Sequence, residues 1–305
     1  MLQLAEPISP VPLGISLDPK RVALGERLFN DVRLSGDNTK SCASCHSLDN
    51  AAMDGRARGI AVDGQPRLRN TPTLFNVSLN ASFNWDGAAK TLEAHAERLL
   101  TNPAVMNSTW PELLRRVKGD PAYTSAFAAA YPDGMTWANL LNALATFERS
   151  LLTPNAPFDR YLRGDRQALS AEERRGYELF KSYGCIACHQ GVNIGGNLFQ
   201  KFGVFQDPDA ARSPQEQADS GRYQVTKVER DRSVFRVPSL RNVALTAPYF
   251  HDGRMPTLEG AVDTMARVQL GRALTGEEIA AIVRFLHTLT GEYRDQPLKL
   301  AAPAQ

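Results

Sequence analysis

The sequence predicts an all-α protein of two domains related by an internal repeat, with long irregular loops. Three observations carry that prediction. Amphipathic helices have marked starts, one segment of the chain recurs, and nowhere do apolar and polar residues alternate for long enough to build a large sheet.

The helices are legible from their caps and faces. Ser170 followed by Glu173 forms a capping box that opens a helix through Leu179 and Phe180. Thr275 and Glu278 form another, after which Ile279, Ile282, Val283 and Leu286 share one face until Gly291. Trp137, Leu140, Leu141, Leu144, Phe147 and Leu151 give a third, closed by Pro154. The stretch from Gly191 to Arg236 reads as loop, longer than a compact domain keeps without a purpose.

The repeat aligns PTLFNVSLNASFNWDGAAKTLE (Pro72 to Glu93) with PSLRNVALTAPYFHDGRMPTLE (Pro238 to Glu259) without a gap. About half of those positions are identical, far above chance. Upstream, GERLFNDVRLSGDNTKSCASCH resembles GYELFKSYGCIACH. The division that follows is an N-terminal domain over 1–160, its residues 136–160 a bridging helix and linker, and a C-terminal domain over 161–305.

A hydrophobic content of 43% is enough to fill real cores, and a net charge of +2 does not point to nucleic acid or an anionic surface. Acids are interspersed with the arginines between Arg222 and Arg241, so that stretch reads as solvated. No apolar run approaches the roughly 20 residues of a membrane helix.

All four cysteines fall in CASCH and CIACH, two C-x-x-C-H motifs. Two thiols one turn apart add to the vinyl groups of one porphyrin, and the adjoining histidine ligates its iron. A zinc site would not need the histidines or so wide a separation. A disulfide framework suits smaller chains, and a thioredoxin-like motif needs neither the histidine nor a second copy. The reading is two haem c groups, one on Cys42, Cys45 and His46 and one on Cys185, Cys188 and His189, in two cytochrome c-like domains. Such haems are attached outside the bacterial cytoplasm, so a periplasmic location is expected. MLQLAEPISPVPLG lacks the features of a signal peptide, and the expectation is that a leader was cleaved or replaced.

With those motifs, RNTPTLFN, FNWDG, VPSLRNV, APYFHDG and DTMARVQLGR resemble the bacterial di-haem cytochrome c peroxidases and their relative MauG, over roughly residues 18 to 292. The resemblance implies that the N-terminal haem reacts with hydrogen peroxide and the C-terminal haem carries electrons. It implies Met265 as second axial ligand of the C-terminal haem, with Met255 the nearest decoy; MauG has tyrosine there. It implies His251 beside that haem, Trp85 between the haems, and an interdomain calcium ion at Asn70, Thr246 and Pro248. Homodimers occur in the family, and nothing in the sequence supports or excludes one.

Two departures from the peroxidases bear on activity. The loop that carries a capping histidine in the family falls between Leu48 and Arg69, and none of the five histidines lies there. The first iron is therefore expected to be open, as in MauG. The family's distal glutamate falls on Val105, before Met106, and a family glutamine position holds His95, the expected acid–base catalyst, with Glu93 and Glu97 as substitutes. His287 is expected to be structural.

The favoured expectation is a MauG-like enzyme whose high-valent di-haem state oxidises a partner protein, plausibly at a tryptophan. The alternative is a cytochrome c peroxidase taking electrons from a small cytochrome c or cupredoxin. A pure electron carrier would need both irons capped, and only Met53 offers itself at the first.

Overall fold

Each of the three expected helices exists, and its cap shows why. The computed structural model describes residues 6–208 and 219–300, so positions 209–218 of the expected loop lie outside the described residues. In chain order the helices are α1 (Pro19–Phe29), α2 (Leu92–Thr101), α3 (Trp110–Lys118), α4 (Pro121–Ala130), α5 (Trp137–Ser150), α6 (Pro157–Leu162), α7 (Ala171–Ser182), α8 (Tyr223–Thr226), α9 (Leu258–Leu270) and α10 (Gly276–His287). In α7 the Glu173 amide donates to Ser170 Oγ (3.2 Å) and the Ser170 amide to Glu173 Oε2 (2.7 Å). Thr275 and Glu278 repeat that exchange at α10, which ends at His287, short of Gly291. Pro154 lies beyond the end of α5, whose start Thr136 caps.

Strand is confined, among the described residues, to two small ribbons. β1 (Phe199–Lys201) pairs antiparallel with β2 (Val234–Arg236), and β3 (Glu292–Tyr293) with β4 (Gln296–Pro297). The first ribbon corrects the reading of 191–236 as loop throughout: β1 and β2 clip its two ends together.

Two cores form around two close helix pairs. In the first, α1 packs on α5 through Leu24, Leu28, Phe29 and Phe147; in the second, α7 packs on α10 through Tyr177, Phe180, Phe285 and Leu286. Both pairs approach over a glycine. A Cβ on Gly25 would stand 2.0 Å from the Ala143 carbonyl oxygen, and one on Gly176 the same 2.0 Å from that of Ala281. Either substitution must push a helix away.

Other devices occur in both halves. Asn76 and Asn242 adopt φ near 60° ahead of short 3₁₀ turns, Val77–Leu79 and Val243–Leu245. Isolated bridges join Phe83 to Ala89 and Tyr249 to Met255. Thr91 caps α2 and Thr257 caps α9.

The chain ends cross between the cores. Ile8 is buried in the second core, while Tyr293 and Leu298 pack against the first. Gly191 donates its amide to the Pro7 carbonyl (2.9 Å), and Arg241 its Nη2 to that of Ser9 (2.9 Å). A cut at residue 160 thus divides the sequence but not the packing.

The expectation of a solvated basic stretch fails at two arginines. Arg241 is buried and paired with buried Asp159 (2.7 Å), and Arg236 is buried as well. Their charges serve interior positions that a count of basic and acidic residues does not reveal.

Candidate functional site: two cavities sharing a wall

In each half the C-x-x-C-H segment coils into a 3₁₀ turn, Cys42–Ser44 and Cys185–Ala187. The His46 amide donates to the Cys42 carbonyl (2.9 Å) and the His189 amide to that of Cys185 (3.0 Å). These bonds bring both thiols and the imidazole to one wall. None of the four cysteines is in a disulfide.

Each imidazole is oriented by a backbone carbonyl. His46 Nδ1 lies 3.1 Å from Ala52 O and His189 Nδ1 3.2 Å from Ile194 O. With Nδ1–H donating, Nε2 is left unprotonated for a metal. Burial holds both rings neutral, pushing His189 down to about 4 and His46 in the same direction. A neutral imidazole is the form that ligates iron.

Each histidine faces its own cavity. That of His189 is lined by Met265, His251, Phe202, Leu258, Ile282 and Leu286 among others; that of His46 by His95, Ala96, Leu100, Val105, Met106 and Leu144. Two thiols, an imidazole and an apolar hollow are what a covalently held porphyrin requires. The residues therefore fit two haem c groups.

Met265, on α9, lines the His189 cavity, whereas Met255 packs against Gly260. His251 lines the same cavity, stacked on Phe235 (ring centroids 4.0 Å apart), and burial depresses it to about 4. Trp85 lines both cavities and donates Nε1–H to the Asn70 carbonyl (3.0 Å). Asn70, Thr246 and Pro248 all line the His189 cavity, and the Asn70 amide nitrogen Nδ2 donates to the Arg56 carbonyl (2.8 Å).

The first cavity sorts the acid–base candidates. Glu93 pairs with Arg149 (2.9 Å), and Glu97 accepts from Trp137 Nε1 (2.9 Å). His95 is the candidate that lines the cavity. Its Nε2 lies 3.0 Å from Asn84 Oδ1 and its Nδ1 is buried without a partner. Burial, reinforced by His46, Arg236 and Arg98, lowers it to about 3, so the ring is neutral.

Between Leu48 and Arg69, the residues that line this cavity are Gly59, Ile60, Arg67, Leu68 and Arg69, and Met53 lines the other one. No sulfur or imidazole from that loop reaches the first cavity. His287, at the end of α10, is exposed and lines neither cavity.

Two residues escaped the sequence reading. Glu148 on α5 lines the His46 cavity with Oε2 unpartnered, and burial raises it to about 8. Its signal was available: it falls seven residues after Leu141 and four after Leu144, on the buried stripe. Arg236, which lines both cavities, gave no such signal.

Two such cavities with a common wall define a two-haem c-type protein. The chain belongs to the di-haem cytochrome c peroxidase family, whose sequence model matches residues 19–167. It is 45% identical to cytochrome c peroxidase Ccp of Escherichia coli (strain K12) over 94% of this chain, and spans 62% of that protein's length. It is 36% identical to methylamine utilization protein MauG of Methylorubrum extorquens, covering 83% of this chain and 70% of that one. Among solved structures, a MauG-like protein associated with microbial copper homeostasis superposes with a TM-score of 0.80 at 30% identity, covering 93% of each chain. Family membership implies two haem c cofactors and a peroxide-dependent oxidoreductase. No helix among the described residues is long and apolar enough to cross a membrane.

Proposed function

We propose that this chain is a periplasmic enzyme that reduces hydrogen peroxide at a haem held by Cys42, Cys45 and His46. It draws electrons from a small donor protein through a second haem on Cys185, Cys188, His189 and Met265. The observation that carries this reading is His95, neutral and with a free Nδ1, in the same cavity as His46. A haem bound there supplies the redox iron on which the O–O bond is broken.

The chain's own residues do the proton work. His95 Nδ1 accepts a proton from the inner peroxide oxygen and returns it to the outer one, which leaves as water. The burial that keeps the ring neutral also makes its protonated form a strong acid toward that leaving oxygen. Trp85, in the shared wall, couples the two centres. Met265 lines the same cavity as His189, and as a ligand of a haem held there its thioether would suit an electron relay and shield the iron from peroxide.

A second reading, oxidation of an aromatic side chain on a partner protein, is favoured by the ligand-free stretch from Leu48 to Arg69. We rank the peroxidase reading first, on the support of 45% identity to a cytochrome c peroxidase against 36% to a MauG and of Met265 lining the second cavity. We also read the two halves as copies, on the sequence repeat and the matched glycines, asparagine turns and caps. Calcium belongs to the same proposal: the amide oxygen of Asn70 with carbonyls of Thr246 and Pro248 forms a neutral, oxygen-only set that suits a hard cation with waters. A chelator is expected to lower the melting temperature and added calcium to restore it; no change on chelation would remove the ion from the account.

One equivalent of peroxide added to the oxidised protein, without reductant, tests the main reading by stopped flow. A rapid haem spectral change is expected; no reaction until one haem is reduced would mean that the first iron is capped. In Met265→His the resting spectrum of the second haem should change, and an unchanged spectrum would remove Met265 as its ligand.

A further inference from the structure

We propose that Arg236 is a shared anion site that pairs with propionate carboxylates of both haems and so ties their potentials together. This rests on the two-haem reading above and adds to it the group that binds the porphyrins' charged edges.

Three observations carry it. Arg236 lines both cavities, in the wall it shares with Trp85 and Asn80. It is 5% exposed, yet its side-chain hydrogen-bond partners are neutral: Nε donates to the Asn84 carbonyl (3.2 Å) and Nη1 to Asn80 Oδ1 (3.4 Å). No acid offsets its burial among the described residues, and desolvation alone draws it down to about 10. A buried cation without a counter-charge is strongly disfavoured, so the fold must supply an anion when complete.

The cavities themselves name the anion. Among the described residues lining the His189 cavity, Arg236 is the sole arginine or lysine, and no aspartate or glutamate is present. A porphyrin in that hollow carries two propionates, and Arg236 is the one cation there to meet them. On the other side Arg67, Arg98, Arg69 and Lys40 also line the cavity; Arg69 is already engaged by Asp86 and Asp219 and Lys40 donates to the Ala61 carbonyl, so there Arg236 meets the propionates beside Arg67 and Arg98. The planar guanidinium can present its fork to a carboxylate on each side. Its backbone is anchored for this, since the Arg236 amide donates to the Trp85 carbonyl (2.7 Å).

The test is Arg236→Gln in the holoprotein, with haem content from the pyridine haemochrome and both midpoint potentials from spectroelectrochemistry. Loss of the cation leaves carboxylate charge that favours ferric iron, so both potentials are expected to fall while both haems are retained. If either potential stays at the parent value, the bridge is wrong. A side chain that merely held Asn80 and Asn84 in place would alter stability without moving both potentials together. Should the glutamine variant lose haem, Arg236→Lys decides: it keeps the charge but loses the fork, and both potentials must fall by a smaller amount. Parent chains with fewer than two haems would overturn the functional reading and this inference with it. Two haems with unmoved potentials would overturn this inference alone.

Discussion

Replacing His95 with alanine is expected to slow the reaction of the oxidised protein with hydrogen peroxide by about 10²–10⁴-fold, the usual worth of a positioned acid–base group. The geometry makes the effect specific. His95 lines the His46 cavity with a free Nδ1, while Glu93 and Glu97 are engaged elsewhere. The resting haem spectrum should stay as it is, since His95 ligates nothing in this reading. Because the ring titrates near 3, it is neutral throughout pH 5–8, and the parent rate should show no His95 limb in that range. Stopped flow at matched peroxide concentrations measures both. An alanine variant as fast as the parent would end the acid–base assignment.

Glu148→Gln should stabilise the protein at pH 8 and leave it unchanged near pH 4. Burial raises this carboxyl from 4.5 to about 8, opposed by Arg149 and assisted by Glu93. Its folded value therefore lies above its unfolded one. Below 4.5 both states hold the proton and nothing is lost. Between 4.5 and 8 the unfolded chain ionises while the folded chain cannot, so stability falls as pH rises through that window. At pH 8 the penalty is on the order of 4 kcal/mol, and glutamine, which does not ionise, escapes it. Melting curves of parent and variant across pH 4–9 give the answer: curves that run parallel would show that Glu148 is not the buried acid described here.

The two predictions differ in how far the sequence foresaw them. His95 was singled out only because it falls at a family position, two residues past the end of the repeat. Glu148 was legible only in principle, as a charged residue on the apolar face of α5. Arg236 was misread outright: its neighbours Arg230, Asp231 and Arg232 lie at or near the surface, and composition averaged it with them. The capping boxes at Ser170 and Thr275 were read correctly because each cap is a contact between residues three apart. The β1–β2 ribbon was not, because it joins segments more than thirty residues apart, across a stretch with no strand-like alternation.

By itself the sequence determined what depends on short separations. The two haem-attachment motifs need only two residues between thiol and thiol, the helices need only their caps and stripes, and the repeat is a matter of order along the chain. The tertiary structure decided everything that depends on which distant segments meet. It set the shared wall of Trp85 and Arg236, the crossing of the chain ends, and the free nitrogen of His95. It also set the burial that holds Glu148 protonated. Burial and charge pairing are properties of the packed interior, where a side chain's neighbours come from anywhere in the chain, and no local pattern records them.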